Sequence, residues 1–306
     1  MTFEANKGFF LVIFSSLYLI TILGNIFIVV IIITDPQLHS PMYFLLANVS
    51  FIDFCLSSVT TPKMITVFLK ERKTISFVGC MCQIFFGYFF GGGEMVLIVS
   101  MAYDCQVTIC KPLHCSSIIN RHMCIGLVMT SWIIGFLHSI SQLVVIVKLP
   151  FCDSEPREFN SFFFDLPLAI KLACTDTYIL ENLINADSGI LATICFILLL
   201  ISYCSILLTV FLHSKSESPK ALTTCTAHIT LVMSFFGPCI FTYLWPVSIT
   251  WDSKFLAVFY AVITPLLNLG IYTFRNKEIT IAIRRLNVSK WISFVISGTH
   301  NIKVSL

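Results

Sequence analysis

Seven apolar runs, each long enough to cross a lipid bilayer, constrain this chain more than any other feature. They fall at residues 9–33, 42–69, 77–103, 123–147, 188–212, 221–247 and 255–274. An α-helix rises about 1.5 Å per residue, so about 20 residues span a hydrocarbon core of about 30 Å. In lipid every backbone N–H and C=O must be satisfied by protein, which leaves helices or closed barrels. Barrel strands need only about 10 residues. The runs therefore predict an all-α membrane protein, a seven-transmembrane helix bundle forming one domain over residues 1–306.

Composition points the same way. Hydrophobic residues make up 57% of the chain and charged residues 11%, against about 25% charged in soluble domains. That is too little charge to cover a water-exposed surface, so the lipid bilayer is the first partner the sequence implies. A net charge of +3, from 19 Lys and Arg against 16 Asp and Glu, is small and dispersed, and excludes a nucleic-acid surface. Of the 13 cysteines, Cys55, Cys110, Cys124, Cys195, Cys204, Cys225 and Cys239 lie in or beside apolar runs and read as small buried hydrophobes. The first run outlasts a signal-peptide core and lacks a small-residue cleavage site, so the first helix is expected to direct its own insertion.

Seven crossings put the termini on opposite sides. With the N-terminus outside, ten cationic residues fall inside and nine outside. Discounting Arg157 and Lys171, which sit in the long loop, widens that margin, because long loops translocate largely regardless of charge. The expected placement is a multi-pass protein of the cell membrane with its N-terminus extracellular. Beyond the seventh run, residues 275–286 place Ile279, Ala282, Ile283 and Leu286 at helical spacing among cations. This pattern predicts a short amphipathic helix on the inner surface.

Catalysis has little to work with. Gly91, Gly92 and Gly93 precede Glu94 inside an apolar run, without the strand or the Lys-Ser/Thr of a phosphate loop. Close helix packing, or room for a ligand, explains them better. No histidine spacing suits a metal and no nucleophile elbow occurs, so an enzyme is not expected. Lys254 lies at the outer end of the last run, which excludes a retinal Schiff base in its middle.

Asp53 and Glu94 stand out, because a carboxylate deep in an apolar helix costs a few kcal/mol and marks a functional site by default. With Asn25 and Ser100 they could share a sodium ion, the one cofactor the sequence suggests. They could equally share a proton, relay protons in a transporter, or serve as protonated, hydrogen-bonded glue between helices.

The ordered motifs resemble those of the odorant receptors, within the rhodopsin-like G-protein-coupled receptors, from Gly24 to about Leu286. They include Gly24-Asn25, the run Leu38-His39-Ser40-Pro41-Met42-Tyr43-Phe44-Leu45-Leu46-Ala47-Asn48, Asp53, Pro62-Lys63-Met64 and Glu94. Met101-Ala102-Tyr103-Asp104 and Ile109-Cys110-Lys111-Pro112-Leu113-His114 follow. Ser202-Tyr203, Lys220 to Cys225, His228, and Pro265-Leu266-Leu267-Asn268 with Tyr272 complete the order. The resemblance implies a small volatile odorant as ligand, and as partner a stimulatory olfactory G protein that raises cyclic AMP through adenylyl cyclase. Phe85, Phe86, Tyr88, Phe89 and Gly92 of the third helix, facing Tyr243 of the sixth, are the candidate ligand residues, since aromatic walls with a few hydroxyls bind such molecules by burial.

Against that layout the chain departs at particular places. Asp104, Tyr203 and Tyr272 match the G-protein-coupling region, but the arginine of the family's DRY motif is Cys105, which offers neither a fixed charge nor bidentate hydrogen bonds. In the second outer loop the cysteine expected to pair with Cys80 is Phe164, leaving Cys80 without its usual partner. Cys152 and Cys174 match the family's second loop bridge. The proline of NPxxY is Leu269, with Gly270 beside it. The alternatives to a signalling receptor are therefore a non-signalling, degenerate receptor and an ion or proton transporter using Asp53 and Glu94.

Overall fold

A computed structural model describes residues 2–69, 74–111, 114–147, 158–160, 178–213, 229–237 and 259–285. The first five apolar runs are helices: α1 (Thr2–Thr34), α2 (Pro41–Leu69), α3 (Phe77–Cys110), α4 (Arg121–Val147) and α5 (Tyr178–His213). Among the described residues these five hold spans long and apolar enough to cross a membrane. The sixth run is described over helical residues 229–237, α6. The seventh is described as a π-helical turn, Phe259–Ile263, leading into α7 (Thr264–Arg275). That wide turn ends two residues before Pro265, which lacks an N–H donor and whose ring crowds the carbonyl four residues back, so the preceding ladder opens.

The apolar runs mark the lipid-crossing stretches, and the helices outlast them. α3 continues past Tyr103 to Cys110, and α5 begins at Tyr178 rather than at 188. Polar residues there stop the hydrophobic run without stopping the backbone hydrogen bonds.

α3 is the hub, packed against α2, α4 and α5. Its crossing with α4 is unusually close. A Cβ on Gly135 would strike the carbonyl oxygen of Phe89 and stand 2.9 Å from the nitrogen of Gly93. Ser139 then donates to the carbonyl of Phe85 at 2.6 Å. Close packing is thus what Gly92 and Gly93 do, while Gly91 touches nothing that a Cβ would meet. At the other side of the bundle Gly24 of α1 lies directly under the side chain of Leu269, the residue standing where the family motif has proline.

Two smaller features close the ends. Strands β1 (Thr74–Ser76) and β2 (Glu158–Asn160) pair antiparallel, with Ile75 opposite Phe159, and Ser76 runs straight into α3. The opposite end carries α8 (Lys277–Arg285), the amphipathic helix expected over 275–286. It starts after a break at Asn276, whose Oδ1 accepts from the backbone nitrogens of Glu278 and Ile279 at 3.1 and 3.2 Å. Ile279 and Ala282 are buried, and Arg284 and Arg285 are exposed. Tyr43 Oη lies 3.1 Å from Asn276 Oδ1 and 2.9 Å from Glu278 Oε2, and Arg285 reaches Asp35 and Gln37 before α2.

Candidate functional site

The two membrane carboxyls meet. Asp53 projects from the middle of α2 and Glu94 from the middle of α3, and both are buried, at 0% and 1% exposure. Asn268 of α7 joins them: its Nδ2 lies 3.2 and 3.1 Å from the two oxygens of Asp53 and 3.0 Å from Glu94 Oε1. One amide therefore ties three helices, and its two protons cannot satisfy all the carboxyl oxygens. Glu94 Oε2 and Asn268 Oδ1 have no hydrogen-bond partner among the described residues. Charge in such a place demands a proton or a cation. Asn268 was visible as an amide in an apolar run, but only the folded chain assigns it to this pair.

Asn25 and Ser100 bond within their own helices. Asn25 Nδ2 donates to the carbonyl of Thr21 at 2.9 Å, and Ser100 Oγ to that of Val96 at 2.9 Å. Asn25 Oδ1 is buried and has no hydrogen-bond partner among the described residues.

The aromatic residues of α3 form a ring stack along α4. Phe85 and Phe89 lie parallel with centroids 6.0 Å apart, and both meet Phe136 edge-on. Phe86 packs on Phe85 and Phe90, and Phe89 on Trp132. Tyr88 instead turns to His138 of α4, edge to face with centroids 5.5 Å apart. Gly92 adjoins the same imidazole, since a Cβ there would stand 3.3 Å from His138 Cδ2. Tyr243 lies outside the described residues.

His138 opens a polar cluster that residue patterns did not reveal, because its members are 49 positions apart. Its Nδ1 lies 3.2 Å from Asp187 Oδ2 of α5. Ser141 Oγ and Gln142 Nε2 reach that same oxygen at 2.7 Å each. Gln142, 1% exposed, also donates to Ser188 at 3.3 Å, and its Oε1 has no partner among the described residues.

At the inner end, Asp104 is buried and no cation pairs with it among the described residues. Cys105 is buried in an apolar seat with Ile206, against Ile109, Cys110, Tyr203 and Val210. The thiol of Cys110 accepts from Thr209 at 3.2 Å and donates to the carbonyl of Ser205 at 3.7 Å, so sulfur and apolar contacts join α3 to α5 here. Tyr272 is buried, and its hydroxyl has no hydrogen-bond partner among the described residues. Cys80 is buried and free of any disulfide, while Cys152, Cys174 and Phe164 lie outside the described residues.

Comparison with known proteins agrees with this layout. The family described as olfactory receptor matches residues 14–290. Human (Homo sapiens) olfactory receptor 4K3 is 55% identical over 91% of this chain and 88% of its own length. Human olfactory receptor 4F17 is 54% identical over 94% of this chain and 93% of its own. With matches of this extent, the chain belongs to the olfactory receptor family: a receptor rather than an enzyme, a multi-pass protein of the cell membrane with the seven-helix bundle of G-protein-coupled receptors.

Proposed function

We propose that this receptor binds small volatile odorants beside the outer half of α3, and that its coupling to a stimulatory olfactory G protein, which would raise cyclic AMP, is weak because of Cys105. The observation supporting ligand binding is the convergence of Tyr88 and Gly92 on His138, which brings an aromatic ring and a polar cluster to one place. Such a mixed lining suits molecules held mainly by burial and oriented by one or two polar contacts.

Weak coupling follows from the inner end. Cys105 sits in an apolar seat between α3 and α5, so it presents no cation to a G protein and leaves Asp104 without one. Favourable α3–α5 packing of this kind stabilises one arrangement of the two helices, and a ligand must overcome that preference to shift the population. Guanine-nucleotide exchange on the purified stimulatory olfactory G protein, driven by the reconstituted receptor and an odorant panel, tests this. Slow but odorant-dependent exchange is expected, and exchange as fast as that driven by olfactory receptor 4K3 contradicts weak coupling. No odorant dependence under any condition favours the non-signalling alternative, for which the buried thiol is the specific observation.

The Asp53–Glu94–Asn268 group is proposed as the sodium or proton site, with Asn25 and Ser100 as further oxygen ligands. The residues fit the ion: the atoms of this group without a partner among the described residues, Glu94 Oε2, Asn268 Oδ1 and Asn25 Oδ1, are hard oxygen acceptors suited to a small cation. Sodium-dependent thermal stability that disappears in Glu94→Gln supports the ion, and stability independent of sodium favours the proton. Family membership sets aside the transporter alternative.

A further inference from the structure

We infer that the His138–Asp187–Gln142 cluster selects the ligand by chemical class, and that it takes the ammonium head of a small organic amine. This rests on the odorant-binding reading of the same site and names the substrate it prefers.

The cluster has spent its donors and kept its acceptors. His138 Nδ1, Ser141 Oγ and Gln142 Nε2 all converge on one oxygen of Asp187, Oδ2. Asp187 Oδ1 carries no hydrogen bond among the described residues, and the Asp187 side chain is 45% exposed. The independent sign of a missing partner is Gln142, which is almost fully buried yet keeps Oε1 unpaired in the same cluster. An unpaired buried acceptor costs free energy that an incoming donor recovers.

Charge narrows the donor. α3 and α5 contain no lysine or arginine, and α4 has only Arg121 at its inner end. A carboxylate here lacks a fixed cation, and charge-assisted hydrogen bonds are about twice as strong as neutral ones. An alcohol offers one neutral proton. A protonated amine offers three protons and the compensating charge, while its alkyl chain has the ring of Tyr88, which lies against His138, beside it.

The test uses the full chain in lipid nanodiscs, reading thermal unfolding against concentration of hexylamine, N-hexylacetamide and hexanol. In the unmodified chain hexylamine is expected to stabilise at concentrations about tenfold lower than its acetamide, the ratio expected from losing one charge-assisted bond. Asp187→Asn is expected to remove that preference. Equal potency of amine and acetamide, or an amine preference that persists in Asp187→Asn, overturns the inference. If Asp187→Asn does not fold, the comparison of amine with acetamide in the unmodified chain decides alone. Stabilisation by neutral volatiles with the amine inert overturns this inference and leaves odorant binding standing. Stabilisation by no volatile of any class overturns both.

Discussion

Asn268 Nδ2 lies 3.0 Å from Glu94 Oε1, so an amide in the seventh helix is tied to a carboxyl at the middle of the third. The same nitrogen reaches Asp53 in the second helix. Asn268→Leu leaves two buried carboxyls without their shared donor. A loss of about 2–4 kcal/mol is expected, since each unmet buried polar group costs about 1–3 kcal/mol. Thermal unfolding in nanodiscs measures it, and an unchanged midpoint would mean that the bridge contributes nothing.

The α3–α4 crossing depends on Gly135. A leucine there meets backbone of α3, at Phe89 and Gly93, rather than a side chain that could swing away. Overpacking of this kind costs about 1–3 kcal/mol or more. Gly135→Leu is expected to lower the unfolding midpoint and the surface level, whereas Gly91→Leu, where a Cβ meets nothing, is expected to change neither. Equal losses in the two variants contradict the assignment.

The inner-surface helix is held to the start of α2 by Tyr43, which contacts both Asn276 and Glu278. Tyr43→Phe removes the hydroxyl alone and should cost about 1 kcal/mol. Hydrogen exchange of the α8 amides is expected to quicken while the α3 amides stay protected. Uniform protection of both would show that α8 does not depend on this contact.

β1 and β2 tie residues 158–160 to the segment that leads into α3, four residues before Cys80, where the family layout has its bridge. A proline at Phe159 interrupts the ladder, because it has no N–H and disfavours pairing inside a strand. Faster exchange at Thr74–Ser76 and easier proteolysis of the loop are expected in Phe159→Pro. Unchanged exchange there would rule out the ribbon as a staple.

The sequence made some of this legible and hid the rest for physical reasons. Runs of apolar residues report lipid contact, so the crossings of α1 to α5 could be placed, but they say nothing about where hydrogen bonding ends, and α3 and α5 extend beyond their runs. Asp53 and Glu94 were visible because charge is costly in lipid. Asn268 was visible as an amide but not as their partner, because an uncharged amide gives a weaker signal and the two carboxyls lie 215 and 174 residues away. His138 and Asp187 read as unrelated polar residues until α4 and α5 were packed side by side. The boundary before α8, expected between residues 274 and 275, falls at Asn276, since helical periodicity continues across a capping residue.

The most direct test of the account concerns Cys105. Cyclic AMP is measured in cells expressing the unmodified chain and Cys105→Arg at matched surface levels, across one odorant panel. An arginine offers the cation that Asp104 lacks and the donors that a thiol cannot provide. A weak response is expected from the unmodified chain and a severalfold larger one from Cys105→Arg, to the same odorants. A full response from the unmodified chain, unimproved by arginine, would contradict it.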